Sequence, residues 1–473
     1  LAEVRIKTWL KRGFLALIIV ATPLLLLAGY FVWRFIPFPP EPDYPPPENV
    51  AEAYRQDLDY LRLYPTLDRS FSALEAAAFQ AAVDRIETQV DSLTPPGFEL
   101  AVARAVALAD NAHTNVSPIR RRARVNAIPL RLAWFDDGVY VIQARNDYAE
   151  LLGARVDTLA GATPAAIADT LADSFGGHPG RARWLSVLSL ESPDLLHAAG
   201  FAPANDRVTV AMTLRSGRQT TRTIPAIEPL TDPAERRYGG RLLAYDVPAP
   251  MQGEWTHLMA GEAPPLYLTD ADRPFSATWL ETPAGDGLYL ELDMTMDTEG
   301  YVLVDFQRGV LADLERHSAR FLVVDLRRNG GGTVDDWFSR GVVERLAPEV
   351  PIFVVTSPET FSGGIAEAAY FKHFGGDRAR VVGGPVGDRL VFWANGGTPM
   401  VLPNSGIPLN VWVAKEDWEN GCDDWRLCFW FTMIEDVGVG TLAPDLPVSL
   451  SFADYVAGRD PALEAILAQL GAR

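Results

Sequence analysis

Residues 321–332 read FLVVDLRRNGGG, and residues 354–367 read VVTSPETFSGGIAE. Each starts as an apolar, β-branched run of the kind that fills a buried strand. Each then breaks at glycine or proline and passes into a helical pattern. Strand patterns at 287–292, 321–326 and 352–356 alternate with helix patterns at 302–318, 335–346 and 362–374. Strands separated by helices of that length build βαβ units around a largely parallel sheet, so residues 285–473 are expected to be α/β.

The breaks are where chemistry is expected. Glycines at 330–332 let the backbone turn sharply and bring N–H groups against a ligand, which suits an oxyanion hole or a phosphate cradle. The G-K-[ST] ending of a P-loop and the G-x-G-x-x-G fingerprint are both missing, and a plain tight strand-to-helix turn is the bland explanation. Ser362 falls at a helix N-terminus. A lone serine there usually only caps the helix. A functional serine needs an exposed hydroxyl, a base and converging amide donors. Gly363 and Gly364 keep the approach open beside the positive end of the helix dipole.

Upstream of this half, residues 50–63, 70–93 and 98–109 carry apolar residues at helical spacing and form a helical block. The block closes on Leu108-Ala-Asp-Asn-Ala-His113-Thr-Asn-Val116. Taken alone, His113 is more often structural than catalytic. Strand patterns at 130–134 and 138–142, joined by Asp136-Asp137-Gly138, form a hairpin; another at 208–214 and 219–224 turns through Ser216-Gly217. With a helix-like 164–175 and a helical insertion near 176–200, this stretch resembles a degenerate PDZ-like module.

Together these segments resemble a known family. The order D-x-x-H-T (Asp110 to Thr114), D-L-R-x-N-x-G-G (Asp325 to Gly332) and T-F-S (Thr360 to Ser362) is similar to that of tail-specific and tricorn-type serine peptidases. C-terminal processing proteases and the interphotoreceptor retinoid-binding repeats are relatives. The resemblance covers roughly residues 50 to 470 in segment order, including Val381 to Asp388, Leu402 to Gly406 and Ala443 to Val448. It implies a crotonase-like ββα core of mixed or parallel sheet with helices, preceded by the helical block and the PDZ-like module. It also implies that Ser362 forms an acyl-enzyme, with the N–H groups of Gly331 and Gly363 holding the oxyanion.

The family deprotonates its serine in two ways. One branch uses a lysine from a V-G-x-x-x-x-G segment, but Val382 to Asp388 contains none. Lys372 lies ten residues beyond Ser362, about 15 Å along the helix, which is too far. The tricorn-like branch uses a histidine, and His113 fits. A carboxylate should orient it. Glu416 and Asp417 are the candidates, with Glu419 behind them; Asp417 is slightly preferred and Glu416 is the alternative. Asp388 is either a salt-bridge partner of Arg389 or part of the site. Two departures stand: S-G-G-I-A-E replaces the S-A-A-E of many relatives, and the PDZ-like segment is weakly marked.

The N-terminus differs from the rest. Residues 13–32 read GFLALIIVATPLLLLAGYFV, twenty without a charge, about the ~20 that a spanning helix needs. Arg5, Lys7, Lys11 and Arg12 precede it, so the N-terminus is expected in the cytoplasm and the catalytic part outside it, periplasmic or extracellular. A cleaved signal peptide is the rival, but its apolar core is usually shorter and ends at a small-residue site. The proline-dense residues 37–49 are expected to be semi-rigid and to hold the globular part off the membrane.

The net charge of −19, from 42 basic and 61 acidic side chains, disfavours a nucleic-acid partner. Cys422 and Cys428 are too few for a zinc site; outside the cytoplasm a short-loop disulfide is the natural pairing, with two buried thiols as the alternative. No H-E-x-x-H or ligand cluster indicates a metal, and no organic cofactor is indicated.

The expected organisation is therefore a tail and transmembrane anchor (1–36), a proline-rich linker (37–49) and a helical domain with the base (50–124). A PDZ-like module (125–230), a connecting segment (231–284) and a catalytic α/β domain (285–473) follow. The expected function is a membrane-anchored serine peptidase acting on peptides or proteins. The alternatives are a catalytically silent binding protein on the same scaffold and a tethered scaffold that binds protein tails.

Overall fold

The computed structural model describes residues 2–471 apart from 234, 235, 237–239 and 271. It is a mixed helix-and-sheet protein with one apolar N-terminal helix, Ala2–Phe35. The side chains of Arg5, Lys7, Lys11 and Arg12, on which the expected orientation rests, lie outside the described residues.

The C-terminal half is built on a six-stranded sheet. Its order runs Leu446–Pro447, Ala379–Gly383, Ile352–Thr356, Leu322–Asp325, Gly287–Leu292 and Phe275–Leu280. The first five strands are parallel to their neighbours, and only Phe275–Leu280 runs antiparallel. Strands Gly287–Leu292, Leu322–Asp325 and Ile352–Thr356 are buried along their whole length, which is why they read as continuous apolar runs. Helices Leu303–Leu314, Trp337–Arg345 and Gly363–Gly375 cover one face, and their apolar sides form the largest core with Leu290, Val324 and Val354.

The helical block forms Val50–Leu61, Ala73–Glu87 and Pro95–Val106, each stopped and started by local chemistry. Asn49 caps the first through Glu52 N–H, and Ser72 with Glu75 makes a capping box on the second. The third begins at Pro95, earlier than the periodicity suggests, because proline is pre-organised for the first helical turn and Thr94 caps it. A second six-stranded sheet contains Leu130–Phe135, Gly138–Arg145, Arg155–Leu159, Arg207–Thr213 and Gln219–Pro225 in that order. Helix Pro179–Leu190 packs beside it.

One element joins the halves. The antiparallel hairpin Val391–Val401 with Pro408–Asp417 leaves the C-terminal half and lays Met400, Leu409, Val411 and Val413 into the core of the helical block, beside Phe79, Phe98 and Val106. Its two strands are not among those expected from the sequence pattern. The hairpin is what fixes the end of the helical block against the parallel sheet.

The proline-rich run does not stand free. Tyr60 Oη donates to Pro40 O at 2.5 Å, Gln56 Nε2 to Pro45 O at 3.0 Å and Tyr44 Oη to Asp59 at 2.8 Å. Arg34 and Phe35, at the end of the first helix, are each 3% exposed. The proline-rich run is thus laid along the body by these hydrogen bonds.

Candidate active site

The strand Ile352–Thr356 ends in a loop tied by hydrogen bonds to residues 326–329 of the neighbouring turn. Ser357 Oγ donates to Arg327 O at 2.5 Å, Thr360 Oγ1 to Leu326 O at 2.8 Å and Phe361 N to Asn329 O at 2.9 Å. The loop delivers Ser362 to the N-terminus of Gly363–Gly375 with φ 54° and ψ −123°, and its side chain makes no capping hydrogen bond. A non-glycine residue at positive φ stores on the order of 1–3 kcal/mol and persists only where its surroundings impose it. The ordinary capping role of a helix-start serine is thus not the one Ser362 performs.

The glycine loop lies directly against this serine. A Cβ on Gly331, which has φ +120°, would sit 2.8 Å from Ser362 Cβ and 3.3 Å from its Oγ. A Cβ on Gly363 would fall 2.8 Å from Gly332 N. Glycine is needed at both because two backbones and a hydroxyl share the space. Asn329, fully buried, shapes the turn: its Nδ2 donates to Leu292 O at 2.8 Å, and its Oδ1 accepts Gly331 N–H at 2.9 Å. Gly331 N–H is therefore engaged, whereas the amides of Gly332 and Gly363 have no acceptor among the described residues.

His113 comes from the turn after the helical block. Asn111 clamps that turn to the hairpin by a reciprocal pair, Nδ2 to Trp393 O at 2.9 Å and Trp393 N to Oδ1 at 3.0 Å. Trp412 Nε1 donates to His113 O at 2.6 Å. Buried Asp68 accepts from Trp412 N at 2.9 Å and lies beside Thr114; burial pushes its carboxyl up to about 6. The imidazole, 6% exposed, stacks between Phe361 at 4.2 Å and Phe392 at 4.9 Å, with Trp412 edge-on at 5.3 Å. Phe361 immediately precedes Ser362, so the ring is packed one residue from the serine. Neither ring nitrogen makes a hydrogen bond among the described residues, and the Ser362 side chain caps no helix N–H.

The acids divide by strand geometry. Asp388 Oδ2 faces His113 Nδ1 at 3.5 Å, while its Oδ1 accepts Arg389 N–H. The Arg389 guanidinium goes instead to Asp110, at 2.8 Å. Glu416 pairs across the hairpin with Phe392, which puts both on the face toward His113. Its oxygens accept from Asn395 Nδ2 at 2.8 Å and Trp418 Nε1 at 2.9 Å, and burial raises its pKa. Asp417 takes the other face, since successive strand residues alternate. There it binds Lys415 Nζ at 2.9 Å and Asn420 N at 2.9 Å. Burial would raise its pKa, but the Asn420 and Lys415 hydrogen bonds outweigh it and hold the carboxyl below its ordinary range. Glu419 is exposed beyond it. Lys372 lies at the far end of the serine helix, on Ala379 O and Asp445.

The structure thus brings Ser362, Gly331, Gly363, His113, Asp388 and Glu416 into one region and turns Asp417 away. Cys422 and Cys428, which follow the hairpin, are joined by a disulfide, S–S 2.08 Å. Sequence reading gave no role to Asn329, Phe361 or Phe392. Asn329 was visible inside the quoted D-L-R-x-N run, but a hydrophobic ring that shelves a histidine has no sequence signal of its own. A cavity of about 380 Å³ lies behind the serine loop, lined by Trp134, Trp184, Leu242, Tyr267 and Pro358 among others.

No protein-family model matches the chain, and no curated protein matches it. Solved structures do. Mature CPAF, a chlamydial serine protease, aligns both alone and complexed with lactacystin, at a TM-score of 0.53 and 12% identity in each case. The alignments cover 89% of this chain and 96% and 98% of CPAF respectively. The tricorn protease aligns at 14% identity and a TM-score of 0.34, over 90% of this chain and 37% of its own. The likeness to CPAF is one of fold: a serine-protease architecture carried by a chain with little sequence in common.

Proposed function

We propose that this chain is a serine peptidase held in a membrane by its first helix. The observation that carries the reading is Ser362: a non-capping serine at positive φ, on a helix N-terminus, pressed against a glycine loop. A strand-to-helix turn of that kind presents a hydroxyl as a nucleophile and costs stability that a mere cap would not require.

In this reading Ser362 Oγ attacks the scissile carbonyl carbon while His113 Nε2 takes its proton. The carbonyl π pair moves to oxygen, which Gly363 N–H and Gly332 N–H stabilise. Gly331, whose amide is occupied by Asn329, contributes the absence of a side chain. Collapse of the tetrahedral species breaks the C–N bond, and the imidazolium returns its proton to the leaving amine. Water, deprotonated by His113, then hydrolyses the acyl-enzyme. Asp388 is the acid assigned to Nδ1, because its Oδ2 has no other partner among the described residues, whereas both Glu416 oxygens already accept hydrogen bonds. Hydrogen bonds of a catalytic triad are often long before substrate arrives and shorten in the complex.

The membrane part rests on Ile18–Phe35, an 18-residue window of mean hydropathy 1.8 that is 11% buried. A signal sequence passes the same test, but Arg34 and Phe35 are built into the body, which favours a retained helix. The cytoplasmic N-terminus and an outside catalytic part remain the proposed orientation. The test is turnover of an unfolded protein substrate by the full chain in detergent, with Ser362→Ala as control. Cleavage by wild type alone supports the peptidase.

A silent binding protein is the second reading, favoured by the mainly apolar cavity, whose lining contains neither Ser362 nor His113. It predicts no turnover by folded wild type and ligand binding that survives Ser362→Ala.

A further inference from the structure

The last turns of the first helix pack on the disulfide-closed loop after the hairpin and on the short helix Trp430–Glu435 that follows it. Tyr30 lies 5.7 Å from the Trp425 ring and 6.2 Å from the Trp430 ring. Phe31 lies 5.3 Å from Trp430, and Phe35 meets Phe429 at 5.7 Å. Arg34, 3% exposed, ties the helix down by donating to Val413 O at 2.6 Å and to Arg426 O.

These contacts set a depth. Tyr30 belongs to the uncharged run and sits five residues, or about 7.5 Å of helical rise, before the helix end. A ring that touches Tyr30 shares its level along the helix. Trp425 is nevertheless 49% exposed, Leu427 37% and Ile434 78%. Trp33, 69% exposed and 5.8 Å from the Tyr30 ring, extends the same patch from the helix side. The loop is shaped to project them. Asp424 Oδ1 accepts Arg426 N–H, Asp424 O accepts from Leu427 and Cys428, and the disulfide closes the base. A soluble surface seldom groups aromatic and aliphatic side chains in this way, while an interfacial layer favours them, tryptophan above all.

We propose that the 422–428 loop and helix Trp430–Glu435 form a second membrane contact, seated in the interfacial layer of the leaflet that the first helix leaves. The occupant is a lipid surface, because the patch is continuous with the spanning helix and level with its apolar run. This inference rests on the reading of that helix as a membrane span. It has a consequence for the site: Lys415 N donates to Leu427 O at 2.8 Å, so the seated loop is bonded to the residue next to Glu416. The candidate active site would then work close to the bilayer, on membrane-proximal segments of its substrates.

The test uses the full chain in phosphatidylcholine vesicles that carry a phospholipid with a photoactivated diazirine in its upper acyl chain. Irradiation and peptide mapping should find lipid adducts in residues 18–38 and also in residues 423–435. The double variant Trp425→Asp, Ile434→Asp, altered only at exposed positions, should lose the second set and keep the first. Adducts confined to 18–38 in the wild type overturn the inference, as does a variant with unchanged adducts at 423–435. A chain that neither floats with the vesicles nor carries adducts at 18–35 removes the anchor itself, so the two failures are told apart.

Discussion

Asp388 Oδ2 stands 3.5 Å from His113 Nδ1, both side chains sealed from solvent, and neither atom has a hydrogen-bond partner among the described residues. A buried carboxylate oxygen with no other use is expensive unless the ring opposite carries positive charge in the working cycle. Asp388→Asn should therefore lower kcat by about 10³–10⁴-fold, the size of effect that loss of an orienting acid has in a serine triad. Asp417→Asn should change kcat by less than about threefold, because alternation along the strand turns its carboxylate from His113 to Lys415 and Asn420. Steady-state kinetics on the two variants and on Glu416→Gln decide which acid serves the histidine.

Gly331→Ala tests the contact between the glycine loop and the serine. The new Cβ would land 2.8 Å from Ser362 Cβ at a backbone φ of +120°. Alanine at positive φ destabilises by more than about 1 kcal/mol. The larger effect falls on the site: phosphonylation of Ser362 should slow far more than chemical denaturation shifts. Equal, small effects on both would mean that the loop is not part of the reaction centre.

Glu367, on the serine helix, supplies a pH dependence with a definite sign. Burial, against the Ser339 hydroxyl that binds it at 2.5 Å and with Asp335 and Glu435 nearby, pushes its carboxyl from 4.5 up to about 8. A raised folded-state value means that the proton is held more tightly in the folded chain. Its contribution is whole below about pH 4.5 and is lost as pH rises through about 8. Glu367→Gln removes this term. Denaturant melts at pH 6 and pH 9 should show a smaller loss of stability on going alkaline for Glu367→Gln than for wild type.

Phe35→Ala tests whether the end of the first helix belongs to the body. Phe35 is 3% exposed and meets Phe429 and Trp430 edge-on at 5.7 Å each. Truncating a buried phenylalanine costs about 3–5 kcal/mol, so the melting temperature in detergent should fall clearly. A soluble chain cut near residue 40 should be destabilised too, since it exposes Phe429 and Trp430. An unchanged melt for Phe35→Ala would mean that the helix is only a tether.

Much of this was legible in the sequence, for a physical reason. The strands at Leu322–Asp325 and Ile352–Thr356 and the helices after them follow local periodicity, and local periodicity is what one chain displays. The two glycine turns were legible because glycine marks a backbone that must turn or approach closely. The hairpin Val391–Val401 with Pro408–Asp417 was not, because its twists at Gly396 and Gly397 and its prolines blur the alternation of its strands. That gap explains the uncertainty over the acid. Glu416 and Asp417 differ by one residue in sequence, and only strand register separates the face toward His113 from the face toward Lys415. The docking of Arg34 and Phe35 on a loop nearly 400 residues away leaves no trace in either segment alone.

The most direct test of the central claim is labelling of the full chain in detergent with a fluorophosphonate, followed by peptide mapping, for wild type, Ser362→Ala and His113→Ala. The account predicts a single phosphonylated serine, Ser362, with labelling abolished in the first variant and strongly slowed in the second. A folded wild type that stays unlabelled, or one labelled at another serine, would contradict it.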